Sequence, residues 1–311
     1  MATSPVDDEG NPIPVTIPIA ISKDISVIFT TRLGGVSQDD YASLNLGGLG
    51  GDNIAHVQRN RASIAHEIQA DLSLVKQVHS ARVVDVDEIF KNNTEYGFDA
   101  TGMTDDIQVE ADAQVTSKTN CAIGVFAADC LPVLFADLES GIIGVAHCGR
   151  KGLLQGVIEN TVNAMLEKGS SRENIVAVIG PCICGNCYEV GDEIADEFEK
   201  RFPLTKTTTR FGGTGIDIQE AAMIDLSFAG ITKIAHSRPR VEAATQYLAQ
   251  DEELTNLCEM DSEGASLSQR LQDMQDTMCT FENALWYSHR RSSKSKKQHE
   301  GRFAAFIMRR G

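Results

Sequence analysis

The sequence has no run of about 18 consecutive apolar residues, the length a helix needs to cross a bilayer. Its opening, MATSPVDDEGNPIP, lacks a basic stretch followed by an apolar one, so residues 1–20 read as a disordered lead-in rather than a secretory signal. Internal repeats and long low-complexity linkers are absent as well. Positive charge is in deficit. The formal charge is −16, which disfavours nucleic acid or an anionic membrane as a bulk partner. The seven histidines include no His-x-His pair, so the histidine-dense trinuclear cluster of a blue multicopper oxidase cannot be built in the usual way.

What is present is the balance of a soluble globular protein: 311 residues, 42% hydrophobic and 23% charged. Eight cysteines without a signal peptide point to reduced thiols and a cytoplasmic protein. Residues 289–310 hold eight Lys or Arg against one acid. A basic end on an acidic body reads first as a solvated loop, with a phosphate-binding element or nucleic-acid arm as alternatives.

Apolar patterning predicts a strand over 25–31 (ISVIFTT) and a helix over 53–69, where Ile54, Val57, Ala62, Ala65 and Ile68 share helical spacing. SLVKQVH and RVVDVDEI predict two strands, ADAQVTS a third, and CAIGVFAADCLPVLFAD (121–137) one strand buried on both faces. IIGVAH and IVAVIGP read as further buried strands. Helices are predicted over 153–169 (closed by Gly169), in EVGDEIADEFEKRF, and in GIDIQEAAMIDLSFAGI near Gly230. Residues 240–276 look helical, acidic and weakly packed, like an insertion. Strands and helices alternate without a clean βαβ rhythm, so the expectation is α+β with mixed sheets, a single domain over 21–311.

Three of these runs, KQVH, FAADC and GVAH, end in His79, Cys130 and His147. Strand ends meet along a sheet edge, and two imidazoles with one thiolate suit zinc, leaving a fourth position open. Copper at the same site is a further reading. So is a thiol hydrolase with Cys130 as nucleophile and His147 as base, although a carboxylate at Asp129 would weaken that thiolate. The bland reading is two strand-end histidines and a buried thiol. CICGNC, with Cys182, Cys184 and Cys187, contains a second metal-type spacing. It lacks a nearby second pair and would need a distant partner such as Cys279, so three reduced thiols in a glycine turn is the preferred reading.

The stretches TTRLGGVSQDDYASLNLG, Asn60-Arg61, QVHSARVVDVD, ADAQVTS, AADCLPVLFAD, AHCGRKGLLQGVIENTV, IGPCICGNCYEVG, Cys279-Thr280, WYSHRR and GRFAAFI occur in this order. Together they closely resemble the YfiH/laccase-domain family, purine nucleoside phosphorylases once labelled polyphenol oxidases, from about residue 25 to 309. The resemblance implies an α+β fold distantly like the cysteine-hydrolase domain of cytotoxic necrotising factor. It matches His79, Cys130 and His147 to the zinc ligands. It implies phosphorolysis of adenosine, inosine, guanosine and methylthioadenosine, deamination of adenosine, and a monomer or weak homo-oligomer. A peptidoglycan-precursor editing hydrolase and a copper-dependent polyphenol oxidoreductase are the alternative functions.

Arg61, in the Asn-Arg motif, is the first candidate to contact phosphate or nucleoside, with Arg32, Lys151 and Arg291 behind it and Gln77 placed to read the purine edge. No His-x-Glu occurs, so the proton shuttle used by zinc nucleobase deaminases is unassigned. Where the family carries Ala-Gly-Trp-Arg-Gly, this chain has Cys148-Gly149-Arg150-Lys151-Gly152. The change removes a flat apolar surface and keeps a charge without the bidentate fork of Arg.

Overall fold

The computed structural model describes residues 6–8, 10–92 and 109–311. Along the chain come β1 (Thr16–Ala20), β2 (Ile25–Thr30), α1 (Ile54–Ile68), β3 (Asp71–Ser73), β4 (Val83–Asp85) and α2 (Val86–Asn92). Then follow β5 (Ala113–Thr116), β6 (Cys121–Ala127), β7 (Leu131–Asp137), β8 (Ile143–Cys148), α3 (Arg150–Leu154), α4 (Val157–Glu167) and β9 (Ile175–Ile179). Next are α5 (Asp192–Arg201), β10 (Lys206–Thr208), β11 (Thr214–Ile216), α6 (Ile218–Phe228) and β12 (Lys233–Ala235). The chain closes with α7 (Arg238–Thr245), α8 (Glu252–Met260), α9 (Leu267–Asp273), α10 (His289–Lys294) and β13 (Phe303–Arg309).

Two mixed sheets carry the fold, one in the order β1-β2-β13-β6-β3 and the other β12-β9-β7-β8-β5-β4. Period-two alternation sends side chains to opposite faces of each strand. Val27, Phe29, Ile123, Val125 and Ile307 of the first sheet therefore meet Leu134, Ala136, Ile143 and Val145 of the second in a shared core. The opposite faces, Ile28, Ala122 and Phe306 on one sheet, Val133, Phe135 and Ala146 on the other, are covered by helices. Ile64 and Ile68 of α1 cover the first sheet; Val162 and Met165 of α4 and Leu226 of α6 cover the second. The result is the expected α+β domain of mixed sheets layered with helices. Gly124 of β6 stands opposite Phe306 of β13, where a Cβ would lie 2.4 Å from the ring, so only glycine lets that aromatic lie across the strand.

Several expectations need correcting. Residues 121–137 form two strands in different sheets, β6 and β7, joined at Ala128-Asp129-Cys130, where Asp129 takes φ 103°. KQVH is a loop: Lys76 makes one isolated bridge to Glu110, and His79 has a left-handed φ of 59°. RVVDVDEI is a short strand that turns into α2, because the Asp85 carboxylate accepts from the Asp87 amide at the helix start. The helix expected over 153–169 breaks at Gly156, φ 81°, into α3 and α4. Within the expected lead-in, β1 pairs antiparallel with β2, and the Val15 amide donates to the Leu33 carbonyl (3.2 Å). The 240–276 stretch is packed firmly: Val241, Leu248, Leu254, Leu257 and Leu267 join the shared core. Finally, the basic end is not one solvated loop, although Lys294, Lys296 and Arg310 are exposed. Arg291 and Lys297 are paired with buried Glu263, and β13 is a central strand.

Candidate active site

The turn between β6 and β7 presents Cys130, and the end of β8 presents His147 beside it. His79 arrives from the loop before β4, and Asp112 holds it there. That carboxylate accepts from the amides of Val78 (3.2 Å), His79 (3.0 Å) and Ser80 (2.6 Å) and from the Ser80 hydroxyl (2.8 Å). The same Asp112 lies 2.9 Å from Nδ1 of His147. One buried carboxylate thus fixes both the loop and the imidazole, and leaves Nε2 of His147 facing its neighbours.

The donor atoms of His79, Cys130 and His147 all lie within 4.8 Å of one another. Sγ of Cys130 is 3.9 Å from Nε2 of His79, and the two imidazoles stand edge to face, 4.9 Å between centroids. His147 is buried, Cys130 half-buried and His79 exposed, so one side of the cluster faces outward. Burial pushes the Cys130 thiol up, but His147 and His79 outweigh it and bring the thiol down to about 6. Burial disfavours the His147 imidazolium, yet the Cys130 thiolate and Asp112 raise it to about 9. Desolvation opposes ionisation of Asp112, and its bonds to His147 and Ser80 still lower it to about 2.

Two imidazoles and a thiolate fit zinc, and the residues leave room for it. A Cβ on Gly149 would sit 3.0 Å from Cys130 Sγ and 3.2 Å from His79, so glycine keeps the space beside the donors clear. A metal held by these three donors would keep a fourth position for a ligand. A cleft of about 710 Å³ has His79, Cys130 and His147 in its wall. Cations line it: Arg61, Lys76, Arg150, Lys151, Arg290 and Arg302, against Asp129 and Glu300. Such a ring in a chain of formal charge −16 is a local inversion of the protein's field.

Of the proposed substrate contacts, Arg61 and Lys151 line the cleft. Arg61 is nearly buried, bonded through Nε and Nη2 to the Leu46 carbonyl (2.9 and 2.7 Å), with its guanidinium over the Phe126 ring. Burial lowers it to about 10, which leaves it charged at neutral pH. Gln77 lines the cleft too, but its amide pairs with the Phe126 backbone in both directions, at 2.6 and 2.9 Å, and so holds the end of β6. Arg32 lies away from the cleft, locked to the Ala42 carbonyl and to Asp261 at 3.1 Å. Arg291 likewise bonds the carbonyls of Thr280, Phe281 and Trp286 and does not line the cleft. Both are structural.

Sequence reasoning missed Asp112, Tyr188, Arg290 and the His289–Glu300 pair. Tyr188 lines the cleft beneath the Arg290 guanidinium, and burial raises its hydroxyl to about 12. His289 Nδ1 lies 3.0 Å from Glu300, which raises the imidazole. The one signal for these residues is their place in the quoted stretches: Asp112 in ADAQVTS, Tyr188 in CYEVG, and His289 and Arg290 in SHRR, with Glu300 just before GRFAAFI.

Residues 26–310 match the model of the multi-copper polyphenol oxidoreductase laccase family. The chain belongs to this family. A Streptomyces griseus protein named purine nucleoside phosphorylase is 38% identical over 215 residues, covering 68% of this chain and 82% of its own. A protein of an unknown prokaryotic organism named adenosine deaminase is 33% identical over 65% of this chain and 78% of its own. Among solved structures, Bacillus licheniformis YfiH superposes with a TM-score of 0.69 at 27% identity, over 92% of this chain and 93% of that one. YlmD from Geobacillus stearothermophilus shares the fold, with a TM-score of 0.70 at 24% identity over 96% of this chain and 100% of that one. Among the described residues, only one metal-capable group contains histidine, and it contains two, too few for the trinuclear copper centre the family's name suggests.

Proposed function

We propose that this chain is a zinc-dependent purine nucleoside phosphorylase, acting on adenosine, inosine, guanosine and methylthioadenosine, that also deaminates adenosine. The observation that carries the reading is a two-His, one-Cys donor set opening into a cleft lined with cations. The relatives named for these two activities support it. Zinc, if held by His79, Cys130 and His147, would supply a Lewis acid at the cleft wall.

The protein's own groups do the rest. Arg150 and Lys151 follow Gly149 directly and, with Arg61, offer the positive charge that a phosphate needs. The aromatic faces of Phe126 and Tyr188 give the base a surface to stack on, in place of the tryptophan missing at Arg150. In phosphorolysis a phosphate oxygen bonds to ribose C1′ while the C1′–N9 bond breaks and its electron pair leaves with the purine. Tyr188 and the Glu300-paired His289 hold protons at the cleft wall, available to the departing base. In deamination water adds at C6 and ammonia departs, with no phosphate consumed.

The test is product identification with adenosine and zinc-loaded protein. Phosphate-dependent adenine and ribose 1-phosphate, with slower phosphate-independent inosine, are the expected products. Intact adenosine under both conditions refutes the reading.

A further inference from the structure

A second metal-capable group lies behind the cleft, and the activity makes no use of it. β9 runs into Cys182, whose backbone is laced to the chain near Cys279: the Cys182 amide donates to the Met278 carbonyl (3.1 Å) and the Thr280 amide to the Cys182 carbonyl (3.0 Å). This pairing places Cys279 under the turn Cys184–Cys187, where the Cys184 amide donates to Cys279 Sγ at 3.4 Å. Backbone N–H groups directed at sulfur are the surroundings that a metal-bound thiolate uses. Cys187 Sγ lies 3.3 Å from Oε1 of Glu282.

The donor atoms of Cys184, Cys187, Cys279 and Glu282 are all within 4.8 Å of one another, three of the four residues buried and Cys184 half-buried. A tetrahedral zinc with Zn–S bonds of about 2.3 Å holds its sulfurs about 3.8 Å apart. No pair in the group therefore needs to contract by more than about 1 Å.

We propose that Cys184, Cys187, Cys279 and Glu282 bind a structural Zn²⁺ ion, distinct from the His79/Cys130/His147 centre, that locks the loop after β9 to the segment carrying residues 278–282. Four protein donors fill the tetrahedron and leave no position for water, the mark of a structural site. Three thiolates and a carboxylate overbalance the metal's charge. Arg210, 2.8 Å from Glu282 Oε1 and beside Cys187, offsets part of the excess. The second oxygen of Glu282 accepts the amides of Gln275 (2.7 Å) and Asp276 (2.9 Å), which orient the carboxylate.

The ion would also brace the catalytic wall. Ile183, next to Cys184, donates its amide to the Asp129 carbonyl (2.9 Å), and Thr280, next to Cys279, donates its hydroxyl to the Asp129 carboxylate (2.7 Å). Asp129 is the strained residue that presents Cys130, and these bonds help hold it at positive φ. Tyr188, next to Cys187, faces the cleft.

The proposal stands apart from the phosphorylase reading, and the test separates them. Tag-free full-length protein, His79→Ala/His147→Ala and Cys187→Ser are grown with zinc, freed of loose metal and measured by elemental analysis and native mass spectrometry. We expect two zinc ions per wild-type chain and one in each variant. X-ray absorption on the double-histidine variant reads out the ligands and holds even where Cys187→Ser fails to fold: it should show a sulfur-dominated shell. A double-histidine variant without tightly bound zinc overturns the proposal. So does a wild-type mass lower by two hydrogens, with a Cys184–Cys187 disulfide in place of metal.

Discussion

The chain carries two clusters of soft donors, and their surroundings differ more than their atoms. His79, Cys130 and His147 supply three donors, with exposed His79 on the outer side and a cation-lined cleft beyond. Cys184, Cys187, Cys279 and Glu282 supply four, nearly enclosed, with backbone amides directed at a sulfur and at the carboxylate. In the first cluster a carboxylate, Asp112, stands behind the histidine; in the second a carboxylate is itself a donor. Coordination number and access separate a site for chemistry from a site for stability. One fold can hold both because each grows from a different turn beside the second sheet, before β7 and after β9.

Ligand removal should break this symmetry most visibly. Cys130→Ala should lower phosphorolysis and deamination by about 10⁴-fold, the scale for groups that act as a unit, with little change in Tm. Cys187→Ser should act mainly on Tm, with a smaller loss of activity through the Asp129 turn that the second ion braces. Losing a few kcal/mol of metal-linked stability lowers Tm by about 5–10 °C. Thermal melts and initial rates on both variants check the pair.

Asp112→Asn should weaken zinc binding at the open centre by about 10–100-fold, as expected for the partner of a ligating histidine, and leave the second zinc in place. Competition with a chromophoric chelator measures it. Arg150→Ala should raise KM for phosphate about tenfold with a smaller change in kcat, since it removes a charge that binds without reacting.

The smallest effect is in proton release. Between about pH 6 and 9 the metal-free Cys130/His147 pair holds one proton, on His147. Zinc displaces that proton there. Below about 6 Cys130 also takes one up, so affinity for zinc falls as pH falls. In the enclosed cluster, hydrogen bonds from Cys187 and Cys279 bring Cys184 down to about 3. Cys187 and Cys279 are themselves raised and keep their protons. Filling that cluster should release about two protons from its thiols. Calorimetry in buffers of different ionisation enthalpy, on variants holding one site each, gives both counts.

Local pattern revealed much of the fold. The alternation in ISVIFTT gave β2, helical spacing over 53–69 gave α1, and IIGVAH and IVAVIGP gave β8 and β9 almost to the residue. It failed where a tertiary contact decides. An unbroken apolar run over 121–137 does not reveal that Asp129 turns the chain from one sheet to the other. Strand-like KQVH is curled by a carboxylate 33 residues away. Arg32 in its glycine turn resembles a surface cation, but its partner Asp261 is 229 residues distant and buried with it.

The three donors of the open site were legible because His and Cys at the ends of apolar runs are chemically distinctive. Their carboxylate anchor was not, since Asp112 looks like any strand-edge acid. For CICGNC the sequence favours three reduced thiols in a glycine turn and offers Cys279 only as an example of a distant partner, whereas Glu282 depends on the bridge between Cys182 and Cys279 and has no local signature.

Stepwise chelation of the wild-type holoprotein tests the contrast between the two sites most directly, with bound zinc, phosphorolysis rate and Tm followed on the same samples. The open centre should lose its metal first, so activity should vanish with the first equivalent while Tm holds until the second departs. Activity that survives removal of the first equivalent, or activity and Tm that decline in step from the start, would contradict the account.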